Sequence, residues 1–162
     1  MTADDARLGD DRITRWVQTH ARAVRGYVLG LVRRHDVADD IVQEVFQRAW
    51  LARDQYQEHG RERAYLLRIA DRLVVDRSRK RREIALDDDA WQELEPAAGD
   101  LPPPEELARW ETHDELAAAL DRLTPAQRRV LLLRFFGDLT FEEIAATLEC
   151  PLSTALSHGR RG

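Results

Sequence analysis

From Glu83 to Glu106 the chain has no lysine or arginine, carries Asp87, Asp88, Asp89, Glu93, Glu95, Asp100, Glu105 and Glu106, and includes the run Pro102, Pro103, Pro104. A hydrophobic core cannot run through such a stretch, because consecutive prolines favour extended polyproline geometry and like charges repel. The fold must therefore be built from what lies on either side, as two small units joined by an acidic flexible linker. With 162 residues in total, neither unit can bury a large core.

On both sides the apolar residues recur at helical spacing. Ile13, Trp16, Val17, His20, Val24, Tyr27, Val28 and Leu31 form one stripe that ends near Arg33 and Arg34. Asp36 is suited to cap a second helix bearing Ile41, Val42, Val45, Phe46, Ala49 and Trp50. After a polar loop from Arg53 to Gly60, Tyr65, Leu66, Ile69, Leu73 and Val74 supply a third stripe. Beyond the prolines the period resumes with Leu107, Trp110, Leu116, Ala119, Leu120 and Leu123, and Thr124 with Pro125 marks the start of a helix through Phe136, closed by Gly137. The expected fold is all-α: a helical bundle over residues 1–82, a linker over 83–106 and a second helical domain over 107–162.

The last segment, from Thr140 to Gly162, reads as a helical hairpin. The Thr140 hydroxyl can cap a helix while Glu143 reaches back, Ile144, Ala145 and Leu148 form its apolar face, and Cys150 with Pro151 interrupts the pattern. A second helix from Pro151 would turn Leu152, Ala155 and Leu156 inward and present Ser153, Thr154, Ser157, His158, Arg160 and Arg161, side chains suited to phosphates and base edges. An ordinary amphipathic hairpin with a basic end would show the same pattern.

Charge distribution says more than its total. The net charge of −5 argues against a uniformly basic nucleic-acid binder. Yet residues 61–82 are rich in arginine and end in Arg77, Arg79, Lys80, Arg81 and Arg82, directly before the acidic stretch. A single cysteine, Cys150, excludes an intramolecular disulfide and fits a reducing cytoplasm. No signal peptide and no bilayer-length apolar run is present, so the expectation is a soluble cytoplasmic protein without membrane insertion. Nor does the sequence suggest an enzyme. His20, His35, His59, His113 and His158 are dispersed and Cys150 has no neighbouring ligand set, so no catalytic residue, metal or cofactor is expected.

Three segments in order carry a family resemblance: DVADDIVQEVFQRAW at 36–50, AYLLRIADRLVVDRSRKRR at 64–82, and LTPAQRRVLLLRFFGDLTFEEIAATLECPLSTALSHGRR at 123–161. Together they resemble the bacterial RNA polymerase sigma factors of the extracytoplasmic-function (ECF) type within the sigma-70 family. The first is the most specific, since an acidic pair, Val-Gln-Glu, an aromatic and Ala-Trp exceed what a generic amphipathic helix requires. The resemblance implies core RNA polymerase (its β′ clamp helices and β subunit), promoter DNA and an anti-sigma factor as partners.

Residue by residue, it implies that Asp39, Asp40, Gln43 and Glu44 dock on the β′ clamp helices; a solvated acidic face is the plainer alternative. It places the promoter −10 element against Tyr56, His59, Arg61, Arg63, Tyr65, Arg68, Arg72, Arg79, Lys80, Arg81 and Arg82, cations interleaved with surfaces that accept unstacked bases. The −35 element would meet Arg128, Arg129, Thr140, Ser153, Thr154, Ser157, His158, Arg160 and Arg161. Such a linker would thread the polymerase channels that nascent RNA later occupies.

Several positions depart from the family's usual pattern. Tyr65 stands where tryptophan is common, Arg72 where asparagine is common, Leu156 where a basic residue is frequent and Gly159 where an apolar one is frequent. The usual basic continuation beyond Arg161 is absent, which implies either a longer natural chain, truncated here, or a weak −35 grip. Gly159 would also weaken the last helical turn by up to about 1 kcal/mol. Two rival functions remain: a sigma-like decoy that binds an anti-sigma factor without initiating, and a helix-turn-helix repressor.

Overall fold

The apolar stripes pack on one another as their spacing requires. A computed structural model describes residues 3–57, 60–87, 116 and 118–162, and those residues form helices and turns only. In chain order the helices are α1 (Ala3–Val32), α2 (His35–Leu51), α3 (Glu62–Asp87), α4 (Pro125–Phe135), α5 (Phe141–Leu148) and α6 (Leu152–Arg161). The first three form a bundle around Trp16, Val24, Tyr27, Val28, Ile41, Val45, Leu66, Leu67 and Leu73. Helices α4 to α6 enclose Val130, Leu133, Leu139, Ile144, Ala145 and Ala155.

Local capping chemistry fixes the second unit. Thr124 caps α4 and Thr140 caps α5, each hydroxyl accepting from the backbone N–H three residues on while the Gln127 or Glu143 side chain accepts from the cap residue's own N–H. Glu149, in the left-handed conformation at φ 53°, ends α5 and turns the chain into Cys150 and Pro151. Pro151 lies just outside α6 as its cap rather than as its first residue.

Elsewhere the structure corrects the expectation. Asp36 does not cap α2: the cap is Arg34, and Asp36 sits in the first turn, held below the usual carboxylate range by the Arg34 guanidinium. Helix α3 continues past Arg82 to Asp87, into the first acidic residues; the remainder of the linker, with its proline run, lies outside the described residues. Val17, Trp50, Leu116 and Leu152 are exposed although each falls on an apolar stripe. A stripe marks which residues could be covered, but a small protein has too little neighbouring structure to cover its margins.

The two units also pack against each other. Gly26 and Gly30 sit one turn apart on α1, and their missing side chains form a notch for α4. A Cβ at Gly30 would lie 2.7 Å from the Leu132 side chain, and one at Gly26 would overlap the Phe136 ring. Beside this notch Asp71, only 3% exposed, accepts hydrogen bonds from the Tyr27 hydroxyl at 2.7 Å and from Arg129 Nε and Nη2 at 2.7 and 2.5 Å. Burial first, then the Asp71 charge, pushes the Tyr27 hydroxyl well above its ordinary value, so it remains a donor. The Arg129 guanidinium is raised further by its hydrogen bond to Asp71.

Candidate nucleic-acid interface

Helix α3 divides its residues by face. Leu66, Leu67, Ala70 and Leu73 are buried, leaving Arg68, Arg72, Arg79, Lys80, Arg81 and Arg82 exposed. Arg61 is exposed just before the helix. Tyr65, Arg68, Ile69 and Arg72 line a shallow groove together with Arg48 of α2. Cations beside an aromatic ring suit a strand with unstacked bases. Arg48 was not among the sequence candidates; its only signal was its place four residues after Glu44, with which it pairs at 2.7 Å.

The loop after α2 is anchored by rings. Trp16, 3% exposed, meets Tyr56 edge-on at 5.0 Å, and Tyr56 lies 4.6 Å from Tyr65. Much of the surface of Tyr56 and Tyr65 is thus spent on one another and on Trp16, which fixes the loop against the bundle. Arg53, whose guanidinium covers the Trp50 ring at 4.3 Å, also accepts a hydrogen bond from Arg12 at its carbonyl. His59 lies outside the described residues. His20 on α1 is held below the ordinary imidazole value by burial and then by Arg63, and so stays neutral at neutral pH.

Along α2 the acidic face is part solvated, part paired. Asp40 and Gln43 are exposed, whereas Asp39 binds Arg25 at 2.7 Å, which lowers its carboxyl. Burial alone would push Glu44 up, but hydrogen bonds from Arg48 and Arg77 outweigh it and hold the carboxyl low. This face opposes Ile41 and Val45, so it is presented outward.

In the terminal hairpin, Ser153, Arg160 and Arg161 are exposed and Thr154, Ser157 and His158 are half-buried. Ser153, Ser157 and Arg160 share one face at helical spacing, and Thr154, His158 and Arg161 the adjacent one. Thr140 is exposed, though its hydroxyl is engaged as a cap. Arg128 bonds the Leu120 carbonyl at 2.8 Å and Asp121 at 3.1 Å, while Arg129 is committed to Asp71. Neither guanidinium is therefore presented to a phosphate in this arrangement. Arg72 likewise pairs with Glu149, and Arg63 donates to the Gly137 carbonyl at 3.3 Å.

Gly159 acquires a role that its helix propensity did not suggest. A Cβ there would lie 2.6 Å from the Phe141 ring, so the glycine allows α6 to close onto α5. Gly159→Val is expected to overpack this contact and cost about 1–3 kcal/mol, despite removing a helical glycine. A lowered thermal midpoint would record it; an unchanged or raised midpoint would refute the close packing.

Among the described residues there are helices and turns only, with exposed cations along α3 and a capped helical hairpin at the far end, the features of an all-α nucleic-acid-binding protein. Residues 16–84 match the model of Sigma-70 region 2, and residues 113–162 that of Sigma-70, region 4. The chain belongs to the ECF RNA polymerase sigma factors of the sigma-70 family. It is 31% identical to the ECF RNA polymerase sigma factor EcfG of Rhodopseudomonas palustris, over 86% of this chain and 74% of the relative. With the ECF RNA polymerase sigma factor SigE of Mycolicibacterium smegmatis it shares 32% identity over 90% of its own length, spanning 56% of that protein.

Two solved structures have a similar fold. One is the sigma factor RpoE in complex with the anti-sigma factor NepR from Bartonella quintana, at TM-score 0.72 and 24% identity, covering 91% of this chain and 89% of that one. The other is CnrH in complex with the cytosolic domain of CnrY, at TM-score 0.61 and 26% identity, covering 98% and 88%. No described helix is long and apolar enough to cross a membrane, and no metal-holding cluster occurs among the described residues.

Proposed function

We propose that this protein binds core RNA polymerase in the cytoplasm and directs initiation at promoters by recognising −10 and −35 elements. The observation that carries this reading is the outward cationic face of α3, Arg68 to Arg82, within the segment matching region 2. Residues 1–82 would serve polymerase and the −10 element, 83–106 would act as linker, and 107–162 would read the −35 element. Asp39, Asp40, Gln43 and Glu44 would meet the β′ clamp helices, where carboxylates and an amide suit arginine partners. Arg61, Arg63, Arg68, Arg72 and the Arg79–Arg82 run would track the opened strand, with Tyr56 and His59 in the loop before α3 and Tyr65 in its first turn meeting unstacked bases. Helix α6 would enter the major groove through Ser153, Ser157 and Arg160. An anti-sigma factor is the expected regulator, and the chemistry is the polymerase's own.

Run-off transcription with purified core polymerase tests this. The expected result is a transcript of defined start that depends on the added protein. Failure to form a complex with core would defeat the proposal; complex formation without initiation would favour the decoy, and DNA binding without core the repressor.

A further inference from the structure

Resting on that reading, we propose that the shallow groove lined by Arg48, Tyr65, Arg68, Ile69 and Arg72 is a base-reading subsite for the opened strand, and that Arg68 makes it select guanine or cytosine over adenine or thymine. Tyr65, Arg68, Ile69 and Arg72 stand at positions i, i+3, i+4 and i+7 of α3, which places them on one face, and Arg48 joins them from α2. Half-buried Tyr65 and Ile69 give the groove an apolar floor, with three guanidiniums around it. Its volume of about 410 Å³ falls within the span of about 300–1,000 Å³ usual for small-ligand sites, so a single unstacked base fits. Burial raises the Tyr65 hydroxyl above its ordinary value and the Arg68 charge opposes that rise, which puts the guanidinium near the ring.

The three guanidiniums are not equivalent. Arg48 is paired with Glu44 at 2.7 Å and Arg72 with Glu149, whereas Arg68, among the described residues, has no hydrogen bond or ion pair. Glu44 also accepts from Arg77 at 3.3 Å, so one carboxylate lies between two guanidiniums and leaves a net positive charge beside the groove for a phosphate. Arg68 keeps its whole fork of donors for a base. A guanidinium has no acceptor, so a base satisfies the fork only with two neighbouring acceptors. Guanine offers O6 and N7, and unpaired cytosine offers N3 and O2. Adenine sets its N6 amino group beside N7 and N1, and thymine sets N3–H between its two carbonyls, so either turns a donor toward the fork. Tracking a strand needs charge alone, but a fork held over an apolar floor discriminates among bases.

The test uses the full chain assembled with core polymerase, with core alone as the blank, and four fluorescent oligothymidine strands whose central residue is thymine, adenine, cytosine or guanine. An otherwise uniform strand can slide until that residue reaches the groove. The guanine strand, the cytosine strand or both are expected to bind about tenfold more tightly than the adenine and thymine strands, the discrimination of one good bidentate contact. A gain that 7-deazaguanine abolishes assigns the O6 and N7 edge of guanine; a gain confined to cytosine assigns its N3 and O2 edge. Arg68→Lys keeps the charge and loses the fork, and is expected to bring the four affinities within about twofold of one another. Arg48→Gln is expected to weaken all four alike, by about fourfold at physiological salt, the share of one phosphate contact. Equal binding of the four strands by the wild type, binding of none, or discrimination that survives in Arg68→Lys would overturn the proposal. If no complex with core forms, the sigma reading fails, and the same strands offered to the chain alone decide the subsite by the same criteria.

Discussion

Replacing Arg79, Lys80, Arg81 and Arg82 together with glutamine is expected to lower affinity for single-stranded −10 DNA by about two orders of magnitude at 0.15 M salt, with the fold intact. The magnitude follows from counterion release. Each phosphate contact on a single strand contributes about 0.7 to the slope of log affinity against log salt, so four contacts contribute about 3. All four side chains are exposed on α3, and consecutive helical positions 100° apart send them round most of a turn. A strand that winds across this end of α3 can therefore meet all four, since each side chain is long enough to reach round toward it. Glutamine matches arginine and lysine closely in helix propensity, so α3 itself is little affected. A salt titration of oligonucleotide binding checks the prediction, and a slope equal to the wild type's would remove these residues from the DNA interface.

The cationic run is legible in the sequence because it lies on one helix. The same holds for the caps at Thr124 and Thr140, where a hydroxyl and an amide or carboxyl three residues on determine the geometry locally. The all-helical class, the hairpin and the outward face of Asp40 and Gln43 were legible for that reason. Asp36 misled because a carboxylate in the first turn of a helix and one at its cap look alike in sequence; only the backbone of Arg34 separates them.

What remained hidden is what depends on distant partners. Arg129 reads in the sequence as a −35 phosphate contact, yet in the fold it is committed to a carboxylate that stands 58 residues earlier in the chain. Trp50 belongs to an apolar stripe but lies under Arg53 instead of inside the bundle. Gly26 and Gly30 show only that a close neighbour is needed, since two glycines one turn apart inside a long helix cost about 1 kcal/mol each relative to alanine. That neighbour is α4, and sequence periodicity has no means of naming it.

Tyr27 is where the local and distant constraints meet, and Tyr27→Ala is expected to destabilise the protein by about 3–5 kcal/mol. The side chain is fully buried on α1, among the bundle core, and its hydroxyl reaches the carboxylate that joins α3 to α4. Truncation would leave an aromatic-sized cavity and remove a donor from buried Asp71, whereas Tyr27→Phe keeps the ring and should cost about 1–2 kcal/mol. Against a total stability of about 5–15 kcal/mol, the larger loss brings unfolding close to ambient conditions. Urea titration of both variants checks the pair. A Tyr27→Ala cost no larger than that of Tyr27→Phe would mean that the ring is not packed as found here. A Tyr27→Phe cost near zero would mean that Asp71 is satisfied by Arg129 alone.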